Sequence, residues 1–152
     1  MRILIQHVKE AQVKVDGAVV GKIGKGLLVF LGIHKDDTKE DCHWLKEKLI
    51  HLRIFIDANE KMNLSVQDVG GQLLIVSQFT LYAECAKGRR PSFDHSARPE
   101  LAKQLYEHFI EELKKAVKAV QTGQFGAYME VHLINDGPLT FLIDSKERSQ
   151  ES

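Results

Sequence analysis

The sequence predicts a single α+β domain: a curved, largely antiparallel, barrel-like sheet with two main helices. Three observations predict it. Several short runs carry β patterning with turn signals between them, two segments carry helical periodicity, and strand and helix do not alternate in the repeated way that builds a doubly wound parallel sheet. At 152 residues the chain suits one core, with a single domain expected over 1–145 and a polar tail over 146–152.

The first third reads as strands. Ile3, Ile5 and His7 alternate with Leu4, Gln6 and Val8, and Val13-Lys-Val-Asp-Gly17 leads through a glycine turn into Val19-Val-Gly-Lys-Ile23. Leu27 to Ile33 is apolar at every second position on both faces, so both faces should be covered. Thr38 with Asp41 three residues on resembles a capping box, and Leu45, Leu49 and Leu52 supply the stripe of a helix ending near Leu52. Arg53-Ile-Phe-Ile56 reads as a short strand, Asp57 to Lys61 as a turn, and Leu73 to Thr80, after Gly70-Gly71, as a second strand apolar on both faces. Tyr82 to Ser96 lacks a period and reads as an ordered surface loop. Ser96 and Pro99 open a long helix with the stripe Leu101, Leu105, Phe109, Leu113 and Val117, ending before Thr122-Gly123. A hairpin is expected last: Tyr128 to Ile134, the turn Asn135-Asp-Gly-Pro138, then Leu139 to Ile143.

Charge and cysteine usage narrow the function classes. Lysine plus arginine equal aspartate plus glutamate at 21 each, so no broad basic surface exists for wrapping DNA, and any RNA contact must be local. Cys42 and Cys85 are too few for a disulfide framework and match no zinc spacing, which favours a reducing cytoplasm. The longest apolar stretch, Leu27 to Leu31, is far short of a membrane span. No membrane or targeting role is expected.

Among candidate motifs, Gly21 to Gly26 has the glycine richness of a phosphate loop, but Leu27 stands where the Walker lysine is required, so it reads as a turn. Adjacent Cys42 and His43 would point in different directions from a helix, and no histidine pair has ligand spacing, so neither metal nor cofactor is expected. No Gly-x-Ser-x-Gly elbow is present. Ser77-Gln-Phe-Thr-Leu81 places polar residues at the end of an apolar strand, where side chains and freed backbone N–H groups could meet a ligand; serine and threonine also end strands for structural reasons alone. Asn135-Asp-Gly-Pro138 by itself is a tight turn. Gly88-Arg-Arg-Pro-Ser-Phe93 could hold phosphates or be a solvated loop.

Taken together and in order, Ser77 to Leu81, Lys87 to Phe93, Thr122-Gly-Gln-Phe125 and Asn135-Asp-Gly-Pro-Leu-Thr140 closely resemble the D-aminoacyl-tRNA deacylase family, also called D-Tyr-tRNA deacylase. Val15-Asp-Gly17, Gly24 to Val29, Arg53-Ile-Phe55 and Lys61 to Leu64 agree, so the resemblance spans about residues 1–145. It implies a homodimer that hydrolyses the ester of D-aminoacyl-tRNA, and of glycyl-tRNA, at its 3′ end, as a chirality proofreader without metal or cofactor. Each of two interface sites would combine catalytic Ser77, Gln78, Phe79 and Thr80 with a cis Gly137-Pro138 filter from the other protomer. Phe125 and Met129 would hold the terminal adenosine. Two chemistries fit: direct attack by Thr80, which shows no adjacent base, or, as the resemblance favours, backbone N–H groups at Phe79 and Thr80 holding the ester while the tRNA 2′-hydroxyl assists. Two other classes compete: a non-catalytic RNA-binding module using Arg89 and Arg90, and a general small-ester hydrolase. One departure stands out. The family commonly has Gln-Arg-Val near the N-terminus, where this chain has Gln6-His7-Val8, so the arginine's support of the proline motif does not carry over to His7. The alternative is a histidine on a strand with its hydrogen bond satisfied.

Overall fold

A computed structural model describes residues 1–150; residues 151 and 152, the end of the expected polar tail, lie outside them. The first strand organises the sheet. β1 (Arg2–Val15) pairs along one edge with β3 (Gly26–Gly32) and then β2 (Ala18–Ile23), and along the other with β8 (Glu130–Asp144), all antiparallel. β6 (Gln72–Ser77) adds to β3 in parallel, and β7 (Val120–Thr122) adds to β6 in parallel. The two parallel steps are bridged by α1 (Lys39–His51) and α2 (Pro99–Ala116), so a short parallel centre sits inside an otherwise antiparallel sheet.

Both faces of the central strands are buried, as their unbroken apolar runs require. Leu27, Val29, Leu31, Leu73 and Ile75 join α1 and α2 in one core, while Leu28, Leu74 and Val76 join Val8, Ala11, Val13 and Ile23 in a second core inside the curl of the sheet. β1 serves both. Its residues Ile3 and Ile5 face the helices, an irregularity between Val8 and Glu10 shifts the phase, and Ala11 and Val13 then face the inner core. The curl closes where β2 meets β7: a Cβ on Gly21 would lie 2.3 Å from the Thr122 carbonyl oxygen, so only glycine permits this approach.

α1 begins as expected, with the Asp41 carboxylate accepting the Thr38 N–H at 2.8 Å. α2 has Pro99 in its first turn, but its N-cap is Arg98 rather than Ser96. Two short strands, β5 (Met62–Leu64), which pairs with β4 (Phe55–Ile56), and β7, were not expected. The terminal hairpin is a correction. Both halves of β8 pair with β1, Glu130 to Asn135 against Lys14 to Val8 and Thr140 to Asp144 against Gln6 to Arg2, so Asp136 to Leu139 is an excursion opposite His7 and not the tip of a hairpin. Ser145–Gln150, which takes in the start of the polar tail expected over 146–152, forms a 3-10 turn over α1. No described helix is long and apolar enough to cross a membrane.

Candidate active site

The parallel centre sets the location. β3, β6 and β7 end side by side at Gly32, Ser77 and Thr122, and ligands favour the carboxyl ends of such strands, where backbone groups leave the ladder. β6 gives way there to a 3-10 turn, Phe79–Tyr82. Within the turn the Leu81 N–H donates to the Gln78 carbonyl at 3.2 Å and the Ala83 N–H to that of Thr80 at 3.0 Å. Lying at the start of the turn, Phe79 and Thr80 have N–H groups with no earlier carbonyl of the turn to bond. Both residues are exposed. Ser77, half-buried, pairs with Leu31, and the Gln78 N–H donates to the Leu31 carbonyl at 2.8 Å.

The Thr80 hydroxyl accepts from the Gln78 side-chain amide, and among the described residues no carboxylate or imidazole is bonded to it. A donor there draws electron density from the oxygen. That is the opposite of what a general base does for a nucleophile.

The turn is clamped from several sides. A Cβ on Gly32 would come within 2.9 Å of Leu81 Cβ, so the turn sits directly on the end of β3. Arg2 donates to the Leu81 carbonyl at 2.9 Å, lies 4.5 Å over the Tyr82 ring, and pairs with Asp144 at 2.9 Å. Ser96 Oγ donates to the Phe79 carbonyl at 3.1 Å, and the Phe93 ring meets the Phe79 ring edge-on at 5.0 Å. The sequence marks Ser96 only as the opening of a helix and Arg2 not at all, because no spacing signals contacts across 17 and 79 residues. The Tyr82 hydroxyl is buried and has no hydrogen-bond partner among the described residues, and burial pushes its pKa up, so it stays a neutral phenol.

Phe125 and Met129 lie on the segment after β7, at the same end of the sheet. The Gly123 N–H donates to the Ile75 carbonyl at 3.0 Å, Met129 Sδ would be 2.7 Å from a Cβ on Gly123, and the Phe125 ring lies 5.5 Å from that of Tyr106. Tyr106 in turn donates to the Ile75 carbonyl at 3.4 Å. Half-buried Phe125 and Met129 thus border the edge on which Ser77 to Thr80 stand.

Gly137 and Pro138 form the exposed crest of the β8 excursion, joined by a cis peptide bond, with Gly137 at φ +131°. Asn135 closes its base, accepting the Leu139 N–H at 3.2 Å and donating to Thr140 Oγ1 at 3.0 Å. Opposite lies His7. Its Nδ1 is buried without a partner among the described residues, against the expectation of a satisfied hydrogen bond, and its ring leans on Phe55 at 4.4 Å. Burial lowers the His7 pKa and outweighs the pull of Asp136, so the ring is neutral at neutral pH.

Within one chain the excursion and the turn do not meet. His7 pairs with Leu27, whereas Ser77 pairs with Leu31, four residues or roughly 13 Å further along β3, and β1 and β3 lie between. One row crosses the sheet near the turn: Val76, Phe30, Leu4 and Leu142 are successive partners on β6, β3, β1 and β8. Burial falls along it, from 1% exposure at Val76 to 58% at Leu142. Among the described residues, no three His, Cys, Asp or Glu side chains gather as metal ligands.

The family model described as D-Tyr-tRNA(Tyr) deacylase matches residues 4–144. A D-aminoacyl-tRNA deacylase of Thermosipho africanus is 60% identical over 147 residues, covering 97% of this chain and 99% of that protein, and one of Syntrophobacter fumaroxidans is 56% identical over the same shares. Among solved structures, the c-Myc DNA Unwinding Element Binding Protein superposes with TM-score 0.89 at 38% identity, covering 95% of this chain and 98% of that one. A probable eukaryotic D-amino acid tRNA deacylase superposes with TM-score 0.82 at 20% identity, covering 93% and 97%.

Proposed function

The chain belongs to the D-Tyr-tRNA(Tyr) deacylase family, and from that premise we propose that it hydrolyses the ester of D-aminoacyl-tRNA on the 3-10 turn Phe79–Tyr82. One observation carries the placement: the turn presents the Phe79 and Thr80 N–H groups together at the end of a parallel strand, held by Arg2, Ser96 and Gly32. Two N–H donors fixed in advance suit the oxyanion that develops as an ester is attacked, and removal of one such donor costs about 10²–10³ in kcat elsewhere. Ser77 and Gln78 frame the same edge, with Gln78 occupying the Thr80 hydroxyl. The attacking oxygen is then a water, assisted by the 2′-hydroxyl of the terminal ribose, with Phe125 and Met129 flanking the adenosine.

The working unit is residues 1–145 as a homodimer. The row from Val76 to Leu142 supports this, since an apolar row that ends exposed at β8 is suited to burial against its own copy. The distance between Gly137-Pro138 and the turn within one chain supports it too: the excursion serves the other protomer's turn. There, backbone atoms close to the substrate Cα leave space for hydrogen only. An L-amino acid would drive its side chain into them, a D-amino acid turns it away, and glycine has none. The enzyme thereby removes D-amino acids and glycine from tRNA in the cytoplasm and leaves L-aminoacyl-tRNA intact.

The test incubates the protein with matched D- and L-aminoacyl-tRNA, glycyl-tRNA and a free D-amino-acid ester, and follows release of labelled amino acid. Release from the D and glycyl substrates alone is expected. Equal release from L-aminoacyl-tRNA removes the filter, equal release from the free ester makes the protein a general esterase, and binding of tRNA without release makes it an RNA-binding module.

A further inference from the structure

Residues 85–93 carry three cations, Lys87, Arg89 and Arg90, and no acidic residue. All three are exposed, and among the described residues none is ion-paired with a carboxylate. The nearest acid before them, Glu84, faces His95 at 3.7 Å instead. In a chain of zero net charge, this is a local concentration of unneutralised cations.

The segment is also held. Glu84 and Ser92 exchange backbone hydrogen bonds of 2.8 and 2.9 Å at its base, and His34 bridges to Ser96 beyond it, with the Lys35 N–H on the His95 carbonyl at 3.0 Å and the Ala97 N–H on that of Ile33 at 2.9 Å. Phe93 and Ser96 join it to the active turn through the Phe79 ring and carbonyl. Arg90 is three residues from Phe93, so its Cα lies within about 11 Å of the Cα of Phe93, whose ring meets that of Phe79. A flexible basic loop would be a solvated surface feature. One bolted at its base to the groups proposed to hold the ester lies within reach of the chain leading away from that ester.

We propose that Lys87, Arg89 and Arg90 form a phosphodiester-binding subsite that grips the backbone of the single-stranded 3′ end of the tRNA just upstream of the ester. The subsite rests on the deacylase assignment and adds to it a second point of hold, independent of the amino acid. Arginine suits the task because its planar fork meets two phosphate oxygens at once, and Gly88, at φ +68° with open space where a Cβ would stand, lets the backbone turn between Lys87 and Arg89. Contacts of this kind position a nucleic acid without reading its bases.

The test compares two substrates: D-aminoacyl-tRNA, and the D-aminoacyl ester of adenosine, which has the ester and base but no phosphodiester. For the double variant Arg89→Ala/Arg90→Ala, kcat/KM on the tRNA should fall at least tenfold more than on the adenosine ester, mainly through KM. The slope of log kcat/KM against log salt should become shallower by about 1.4, two contacts at ~0.7 each for a single strand. Arg89→Lys/Arg90→Lys should restore most of that slope, and binding of uncharged tRNA, measured by fluorescence anisotropy, should weaken in parallel. Equal losses on both substrates would overturn the subsite, because the loop would then merely brace the turn. An unchanged salt slope would overturn it, as would dissociation of the dimer, which would make the loop a protomer contact. Should the wild type hydrolyse neither ester, the deacylase assignment itself fails and the subsite falls with it.

Discussion

Thr80 is where the two chemistries part. A threonine that attacks the ester cannot be spared, whereas a threonine whose N–H matters can lose its hydroxyl. The amide of Gln78 already donates to that hydroxyl, and no base is bonded to it among the described residues. Thr80→Ala should therefore keep kcat/KM within about tenfold of wild type in a single-turnover deacylation assay, a change of about 1.4 kcal/mol or less in the barrier. A loss of a thousandfold or more in a folded dimer would restore direct attack. Residues at this scale were legible where they sit consecutively, as Ser77 to Thr80 do, because a run of polar residues closing an apolar strand is visible in one line of sequence. Arg2 and Ser96 were not. Each is ordinary in its local context and gains its role only when folding brings it to the carbonyls of Leu81 and Phe79. His7 stood between: its departure from the family pattern was visible, but only the fold places an unbonded Nδ1 beneath the Asp136 to Leu139 excursion.

At the level of elements, α1 is tied to both ends of the described chain through Asp41. Burial pushes its carboxyl pKa up, but the Thr38 N–H at 2.8 Å and the Ser145 hydroxyl at 2.7 Å, aided by the N-terminal ammonium and by Arg148 at 3.1 Å, outweigh it and hold the group below its usual 3.8. A depressed carboxyl stabilises the fold above its unfolded pKa and ceases to do so as pH falls through the lower folded value. Thermal unfolding should show wild type losing stability from about pH 5 downward. Asp41→Asn should start several degrees lower at pH 7 and decline less steeply in acid; parallel acid limbs for the two proteins would show that Asp41 does not titrate with folding. The capping residues of α1 were readable in advance because a cap is a local contract between residues three apart. The β8 excursion was not, since Asn135-Asp-Gly-Pro138 has the composition of a hairpin turn and only pairing with β1 on both sides reveals a continuing strand. The strands β5 and β7 are three residues each, too short to show a period.

For the molecule as a whole, the decisive quantity is the number of protomers. A monomer has a mass of 17.2 kDa, and light scattering at micromolar concentration should return twice that, near 34 kDa. Leu142, at the exposed end of the apolar row and 58% accessible, is the residue to charge. Leu142→Lys should yield a folded monomer that has lost deacylation, because its turn no longer meets a second Gly137-Pro138. An active species of 17.2 kDa would instead place the complete site in one chain. The pairing of β1 with β8 has a further bearing, on the time course of folding. Arg2 pairs with Asp144 and Lys14 with Glu130, so β1, made well before β8, lacks the partner for one whole edge until β8 has been synthesised. At about 5–20 residues per second, an early β1–β3 sheet would wait several seconds with that edge open. Contacts so distant in sequence also make for slow folding, because their loops must close before the contacts reward it. The nascent chain is thus exposed to edge-to-edge association during its synthesis, and Lys9 and Glu10, two exposed charges midway along β1, stand on the strand where such pairing would otherwise run unbroken.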